Sequence, residues 1–259
     1  DEEYWSIGAN TLAESDFIKD VVAAVVPEVG DGPKEKKGPS SILLGRMGRA
    51  DYIFKIPGTG GHGALSRDKK LKNAAYDAAK VVLALEKYSE DIKKSFRFGE
   101  GKTGVIENTS FVSKVQSGQG SLSIPDSATI TFDRSFVPIN ETKKGELERL
   151  RTVIKKMYEK GELRPIEISG KEYLVEVKDS PRPTPSSDSY FIPPEHPFVK
   201  YVSDISDQLF GRHDYNVGYS VADENVIYNR GNIPVLCIGP LGKNCHKAHE
   251  WVNLESAQQ

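Results

Sequence analysis

The sequence predicts an α/β fold in which a compact βαββαβ unit interrupts an outer α/β sheet domain. Three observations predict it. Two short apolar runs, 21–26 (VVAAVV) and 233–240 (IPVLCIGP), lie near opposite ends of the chain, and a proline closes each. That is the pattern of strands buried on both faces of a largely parallel sheet. Between them the apolar periodicity alternates between strand and helix in the order β-α-β-β-α-β, the arrangement of ferredoxin-like units. A Pro/Ser-rich stretch, 178–197, then separates this unit from a further helix and the second apolar run.

The elements follow in order. TLAESDFIKD predicts a helix ahead of the first run, and the Gly/Pro/Lys-rich stretch 27–41 predicts a loop. Residues 50–56 alternate, placing Tyr52, Phe54 and Ile56 on one face. Residues 71–88 have helical spacing through Leu71, Ala74, Ala75, Ala78, Val81, Val82 and Leu85. Residues 103–116 read as a strand, and 127–133 alternate through Ala128, Ile130 and Phe132. A second amphipathic helix is expected over 146–160 through Leu147, Leu150, Ile154 and Met157, then a strand over 171–178 with Tyr173, Val175 and Val177 inward. Prolines keep 178–197 out of regular structure. A helix over 198–211 and a last helix starting near His249 complete the chain. The expected division is an outer domain of residues 1–48 and 182–259, with residues 49–181 inserted.

Composition narrows the partners. The 259 residues carry 35 basic and 37 acidic side chains, a net charge of -2, so no nucleic-acid partner is expected. No apolar run approaches the ~20 residues that span a bilayer, so no membrane partner is expected. No signal-peptide pattern is visible. Cys237 and Cys245 do not make a disulfide framework, and a reducing, cytoplasmic setting follows. The chain opens on Asp1 rather than Met and is expected to be the later part of a longer polypeptide.

Polar candidates gather after the two apolar runs, where ligands collect in open α/β sheets. Asp1-Glu2-Glu3 is either a solvated charge run at a helix start or a working pair. In the second case one carboxylate binds a metal and its neighbour accepts a proton from the attacking water. Glu28 and Asp31 follow the first run; they are loop acids or, for Glu28, a donor to a divalent ion. His246 and His249 stand three apart near the end of the chain, as a helical metal pair or as histidines at a helix start. His62 is set among glycines in GTGGHGALS, a flexible turn or an imidazole offered to a ligand. His196 and His213 read as surface residues, Cys245 as a small buried residue, and Arg134 as a strand-face arginine paired with an acid.

Five stretches, in this order along the chain, resemble one family: DEEYWSIGANTL, AAVVPEVGDG, GTGGHGALS, SIPDSATITFDRSFVP and GNIPVLCIGPLGKNCHKAHEWV. They are similar to the co-catalytic zinc peptidases that include aminoacylase, acetylornithine deacetylase, succinyl-diaminopimelate desuccinylase and carboxypeptidase G. The resemblance implies a catalytic α/β domain with an inserted ferredoxin-like lid that pairs edge to edge in a homodimer. It implies hydrolysis of amide bonds in N-acyl amino acids or short peptides, with two Zn2+ (or Co2+ or Mn2+) per complete subunit. Residue by residue, it implies Glu2 as general base, Glu3, Glu28 and His246 as metal ligands, and His62 reaching across the dimer to steady the oxyanion. YSVADENVIYNRG is similar to the family's substrate-side segment, which implies a substrate role for Asp223.

The sequence departs from the pattern in two places. The family's upstream half, with its His-x-Asp motif and bridging Asp, has no counterpart here, so the chain alone is expected to be inactive. Leu122 stands where the lid has Asn. Two rivals remain from the sequence: a non-catalytic dimerising or binding module derived from the family, and a phosphoesterase. A short supply of Arg and Lys near the expected site argues against the second.

Overall fold

The computed structural model describes residues 5–32, 38–68, 70–98, 105–118 and 120–258. In chain order the elements are α1 (Ile7–Glu14), β1 (Ala24–Val26), β2 (Gly30–Asp31), β3 (Ile42–Arg46), β4 (Gly48–Pro57), β5 (Gly61–His62), α2 (Ala74–Asp91), β6 (Ser95–Arg97), β7 (Val105–Glu107), β8 (Ser110–Ser117) and β9 (Ser123–Ile124). The second half contributes β10 (Ser127–Phe136), α3 (Lys143–Glu159), β11 (Ile166–Ile168), β12 (Lys171–Tyr173), β13 (Glu176–Asp179), β14 (Tyr190–Phe191), α4 (Pro197–Phe210) and β15 (Tyr215–Gly218). Last come α5 (Asp223–Gly231), β16 (Val235–Cys237), β17 (Leu241–Lys243), β18 (Trp251–Val252) and α6 (Leu254–Gln258).

The expected α/β architecture is present. One sheet runs β13-β4-β10-β8, antiparallel throughout, with the connectivity of a ferredoxin-like βαββαβ unit. Alternation sets its buried face. Ala50, Tyr52, Phe54 and Ile56 of β4 and Ala128, Ile130 and Phe132 of β10 point into one core, covered by Ala78, Val81 and Leu85 of α2 and Leu150, Ile154 and Met157 of α3. The helices start at side-chain caps: Asn73 accepts the Ala75 N–H, and Thr142 accepts the Gly145 N–H. Each therefore lies about one turn from its expected span.

Arg134 is wholly buried in this core. Its guanidinium meets Glu141 at 2.6 Å and Glu146 at 3.4 Å, both also fully buried. Glu141 further accepts the Val137 N–H, and Glu146 the Tyr88 hydroxyl. The arginine is paired with acids, as the sequence suggested.

Two expected strands are broken. The 103–116 segment divides at Asn108, whose side chain bonds the Lys94 N–H, the Ile92 carbonyl and Glu141 instead of continuing a ladder. β7 consequently pairs with β6, and β8 with β10. The 171–178 segment divides after Tyr173, where the Val175 N–H donates to the Tyr158 hydroxyl. β12 makes a hairpin with β11, turned at Ser169 and Gly170 with φ of 51° and 75°. Val175 and Val177 are buried as expected, but Tyr173 faces out.

The outer sheet runs β1-β16-β3-β14, with β15 alongside β3. Its core joins Ile42, Leu44, Val235 and Leu236 to Tyr190, Ile192 and Val199. The first apolar run does form a strand parallel to β16, but only from Ala24, and not buried on both faces: Val22 is 88% and Val25 48% exposed. Among the described residues β1 has β16 as its sole sheet neighbour, so its other edge is unpaired there. The Pro/Ser-rich return contains one short strand, β14, which pairs with β3. Between the sheets the chain crosses twice in close contact. A Cβ on Gly48 would lie 2.4 Å from the Ser189 nitrogen.

Candidate active site

A small third sheet, β18-β17-β2, frames the site. β2 runs parallel to β17, pairing Gly30 with Leu241 and Asp31 with Gly242. This pairing joins the loop after the first apolar run to the segment after the second. The approach is so close that glycine is required. A Cβ on Gly239 would sit 2.2 Å from the Glu28 carbonyl oxygen, and one on Gly30 2.2 Å from the Ser40 Cβ. Ser256 locks the frame, its hydroxyl accepting the Leu241 N–H and donating to the Gly38 carbonyl.

His246 lies in the turn between β17 and β18. Asn244, His246 and His249 there all have φ between 62° and 65°, a left-handed conformation that non-glycine residues seldom adopt. The Lys247 N–H closes the turn on the Asn244 carbonyl, and the Asn244 amide holds the His249 carbonyl. The last helix starts only at Leu254. The two histidines are therefore not a helical pair, which corrects one of the alternatives left open by the sequence.

Glu28 and His246 line one cleft of about 480 Å³, together with Asp31, Arg46, Cys237 and Cys245. That volume lies in the range of small-molecule sites. Glu28 is exposed and accepts the N–H of Val29 at 2.8 Å. At the floor, Arg46 is 8% and Glu224 2% exposed, and they pair at 2.9 Å. Burial pushes the Cys237 thiol up to about 12, with the nearby Glu224 carboxylate adding to the shift; it is neutral at physiological pH. Burial and the neighbouring Glu250, Asp31 and Glu28 carboxylates also raise Cys245. Cys245 is exposed rather than buried, and neither cysteine is in a disulfide.

The other expected site residues are distributed differently. Glu2 and Glu3 lie outside the described residues. His62 is exposed on β5, which pairs with β9, and its Nδ1 accepts the Ala64 N–H at 3.1 Å. A neutral ring so engaged carries its proton on Nε2, as a donor. His62 does not line the cleft of its own chain. Asp223 begins α5 with one buried carboxylate oxygen that has no hydrogen-bond partner among the described residues; it too is absent from the lining. Its neighbour Glu224 reaches the cleft floor through Arg46. The sequence suggested a short supply of Arg and Lys near the site, and Arg46 is the one basic Arg or Lys side chain among the described residues that line it. No sequence signal marks the pair, because Arg46 and Glu224 meet only through the packing of β3 against α5.

The donor set is consistent with a borderline divalent ion, one carboxylate and one imidazole facing a common space. It is not complete. Among the described residues no group of three or more His, Cys, Asp or Glu side chains is placed to hold a metal. No described helix is long and apolar enough to cross a membrane.

The chain thus forms two sheet units joined by a double crossing, one bearing a polar cleft and the other a βαββαβ unit whose strand β8 lies at the sheet edge among the described residues. Residues 44–162 match the M20_dimer family model, the peptidase dimerisation domain. Among solved structures, aminopeptidase PepT from Bacillus cereus superposes with a TM-score of 0.65 at 14% identity, over 96% of this chain and 58% of that one. A tripeptidase from Staphylococcus aureus gives a TM-score of 0.62 at 18% identity, covering 99% and 58%. An amidase of the hydantoinase/carbamoylase family from Burkholderia multivorans gives 0.55 at 15% identity, covering 91% and 51%. The chain thus spans little more than half the length of the structures that share its fold. No curated protein matches it by sequence.

Proposed function

We propose that this chain is part of a metal-dependent hydrolase that opens amide bonds in N-acyl amino acids or short peptides. The observation that carries the proposal is the meeting of Glu28 and His246 in one cleft, brought there from distant parts of the sequence by the β2–β17 pairing. Glu28 and His246 would hold the metal with Glu3, and the full complement is two Zn2+, or Co2+ or Mn2+, per complete subunit. Such ions supply Lewis acidity towards a carbonyl oxygen and acidify water.

Glu2 is the proposed general base: it takes a proton from the attacking water and delivers it to the leaving amine. His62, exposed on the dimerisation domain with its proton on Nε2, would donate to the oxyanion in the partner's cleft. Asp223 is retained as a substrate-side acid. The homodimer would form through the edge of β8, which among the described residues pairs only with β10 and exposes Phe111 and Val115. Two unpaired cysteines support a reducing, cytoplasmic setting.

In the full-length protein, Glu2→Gln should abolish hydrolysis of N-acetyl amino acids while leaving bound metal in place; retained turnover would remove the base from Glu2. A second reading, a dimerising or binding module without catalysis, is favoured by the incomplete donor set, and the absence of metal binding would select it.

A further inference from the structure

We infer that the proline-rich stretch 180–185 is a stiff link through which the βαββαβ unit sets the position of the Glu2-Glu3 segment, with Arg182 and Thr184 as its positioning residues. The inference rests on the hydrolase reading for the roles of Glu2 and Glu3, but the link stands on its own contacts. Ser180, Arg182 and Thr184 precede Pro181, Pro183 and Pro185 in turn. A proline ring fixes its own φ and restricts the residue before it. Every residue from 180 to 185 therefore has little backbone freedom. The stretch bends at Pro183 and Thr184, so it is a stiff link rather than a straight one.

One end of the link is fixed to the antiparallel sheet. The Ser180 N–H donates to the Asp51 carbonyl at 2.8 Å, just beyond the last pair of the β13–β4 ladder. The Arg182 guanidinium lies within electrostatic reach of Asp51 and Arg49. The other end holds Trp5. The Thr184 hydroxyl donates to the Trp5 carbonyl, and the Arg182 guanidinium carbon lies 4.8 Å from the centre of the Trp5 ring, a cation–π contact. Trp5 is a residue that needs such a hold. Trp5 and Ser6 have φ of 69° and 52°, left-handed backbone that strains a non-glycine residue and persists only where the surroundings over-determine it. Ser6 starts α1 without a side-chain cap, so no local cap fixes this start. Trp5 follows Glu3 by two residues, which keeps their Cα atoms within about 8 Å of each other. Moving the link moves Trp5, and with it the chain that carries the acidic pair.

Two variants test the link from different directions. Arg182→Met removes the cation from the ring. Pro181→Ala with Pro183→Ala keeps both end contacts and loosens the chain between them. Acrylamide quenching reads the hold on Trp5 directly, in a Trp251→Phe background that leaves Trp5 as the only tryptophan; both variants should raise the quenching constant. Co2+ titration of the chain with Trp251 restored reads the consequence. Each variant should lower the affinity about two- to fivefold, the scale of one exposed cation–π contact or of the freedom that one proline withholds. Both losses should vanish when Glu3→Gln is also present, because the link acts through that ligand. Unchanged affinity in both variants, or losses that persist alongside Glu3→Gln, overturn the proposal. The hydrolase reading fails separately: if the unaltered chain takes no Co2+, quenching alone decides, a raised constant keeping the link and an unchanged one removing it.

Discussion

Arg134→Met should destabilise the protein by roughly 3–5 kcal/mol, the cost of removing one partner from a buried ion pair. Two fully buried carboxylates depend on this guanidinium. Glu141 would keep the Val137 N–H and a 3.5 Å contact with Lys94, and Glu146 would keep Tyr88 and Arg149. Neither retains a buried cation. Domains are stable by only about 5–15 kcal/mol, so the loss is a large fraction of the total. Urea unfolding followed by circular dichroism would measure it. A triple variant, Arg134→Met with Glu141→Gln and Glu146→Gln, should recover much of the loss, because the cost lies in the orphaned charge rather than in the missing bond. If the single variant unfolds at the same urea concentration as the unaltered chain, the network is not holding the domain.

Gly239→Ala should damage the site more than its size suggests. The added methyl would fall 2.2 Å from the Glu28 carbonyl oxygen and 2.8 Å from the Glu28 carbonyl carbon and nitrogen. These are backbone atoms, which cannot rotate away. Overpacking of this kind costs about 1–3 kcal/mol. The functional effect is larger, since the loop bearing Glu28 must move from the segment leading to His246, and displacement by 1 Å can cost about 100-fold in rate. The expected outcome is a modest loss of thermal stability with a large loss of metal affinity and turnover. Loss of stability with metal affinity unchanged would show that the Glu28 loop does not serve the site.

Much of the ferredoxin-like unit was legible in the sequence because its strands alternate and its helices repeat cleanly. Tyr52, Phe54 and Ile56, and Leu150, Ile154 and Met157, face the core as their spacing required. The breaks at Asn108 and after Tyr173 were not legible: each depends on a side-chain hydrogen bond from another part of the unit. The site was legible only as a list of polar residues. β2, β17 and β18 are two or three residues long, too short to carry a period, and their pairing depends on close backbone approach at Gly239 and Gly242. Glu28 and His246 could be named from the sequence, and their place after two strands of one sheet pointed to a meeting; the β2–β17 pairing that brings it about could not be read. Arg46 with Glu224 could not be named at all, since a buried pair of this kind leaves no spacing to read.

The central claim is that Glu28 and His246 serve one metal site, and titration of the chain with Co2+, followed by ligand-field absorption, tests it most directly. The account predicts a saturable band whose affinity falls about tenfold or more in His246→Ala and in Glu28→Gln. No band, or a band of the same affinity in both variants, would contradict it.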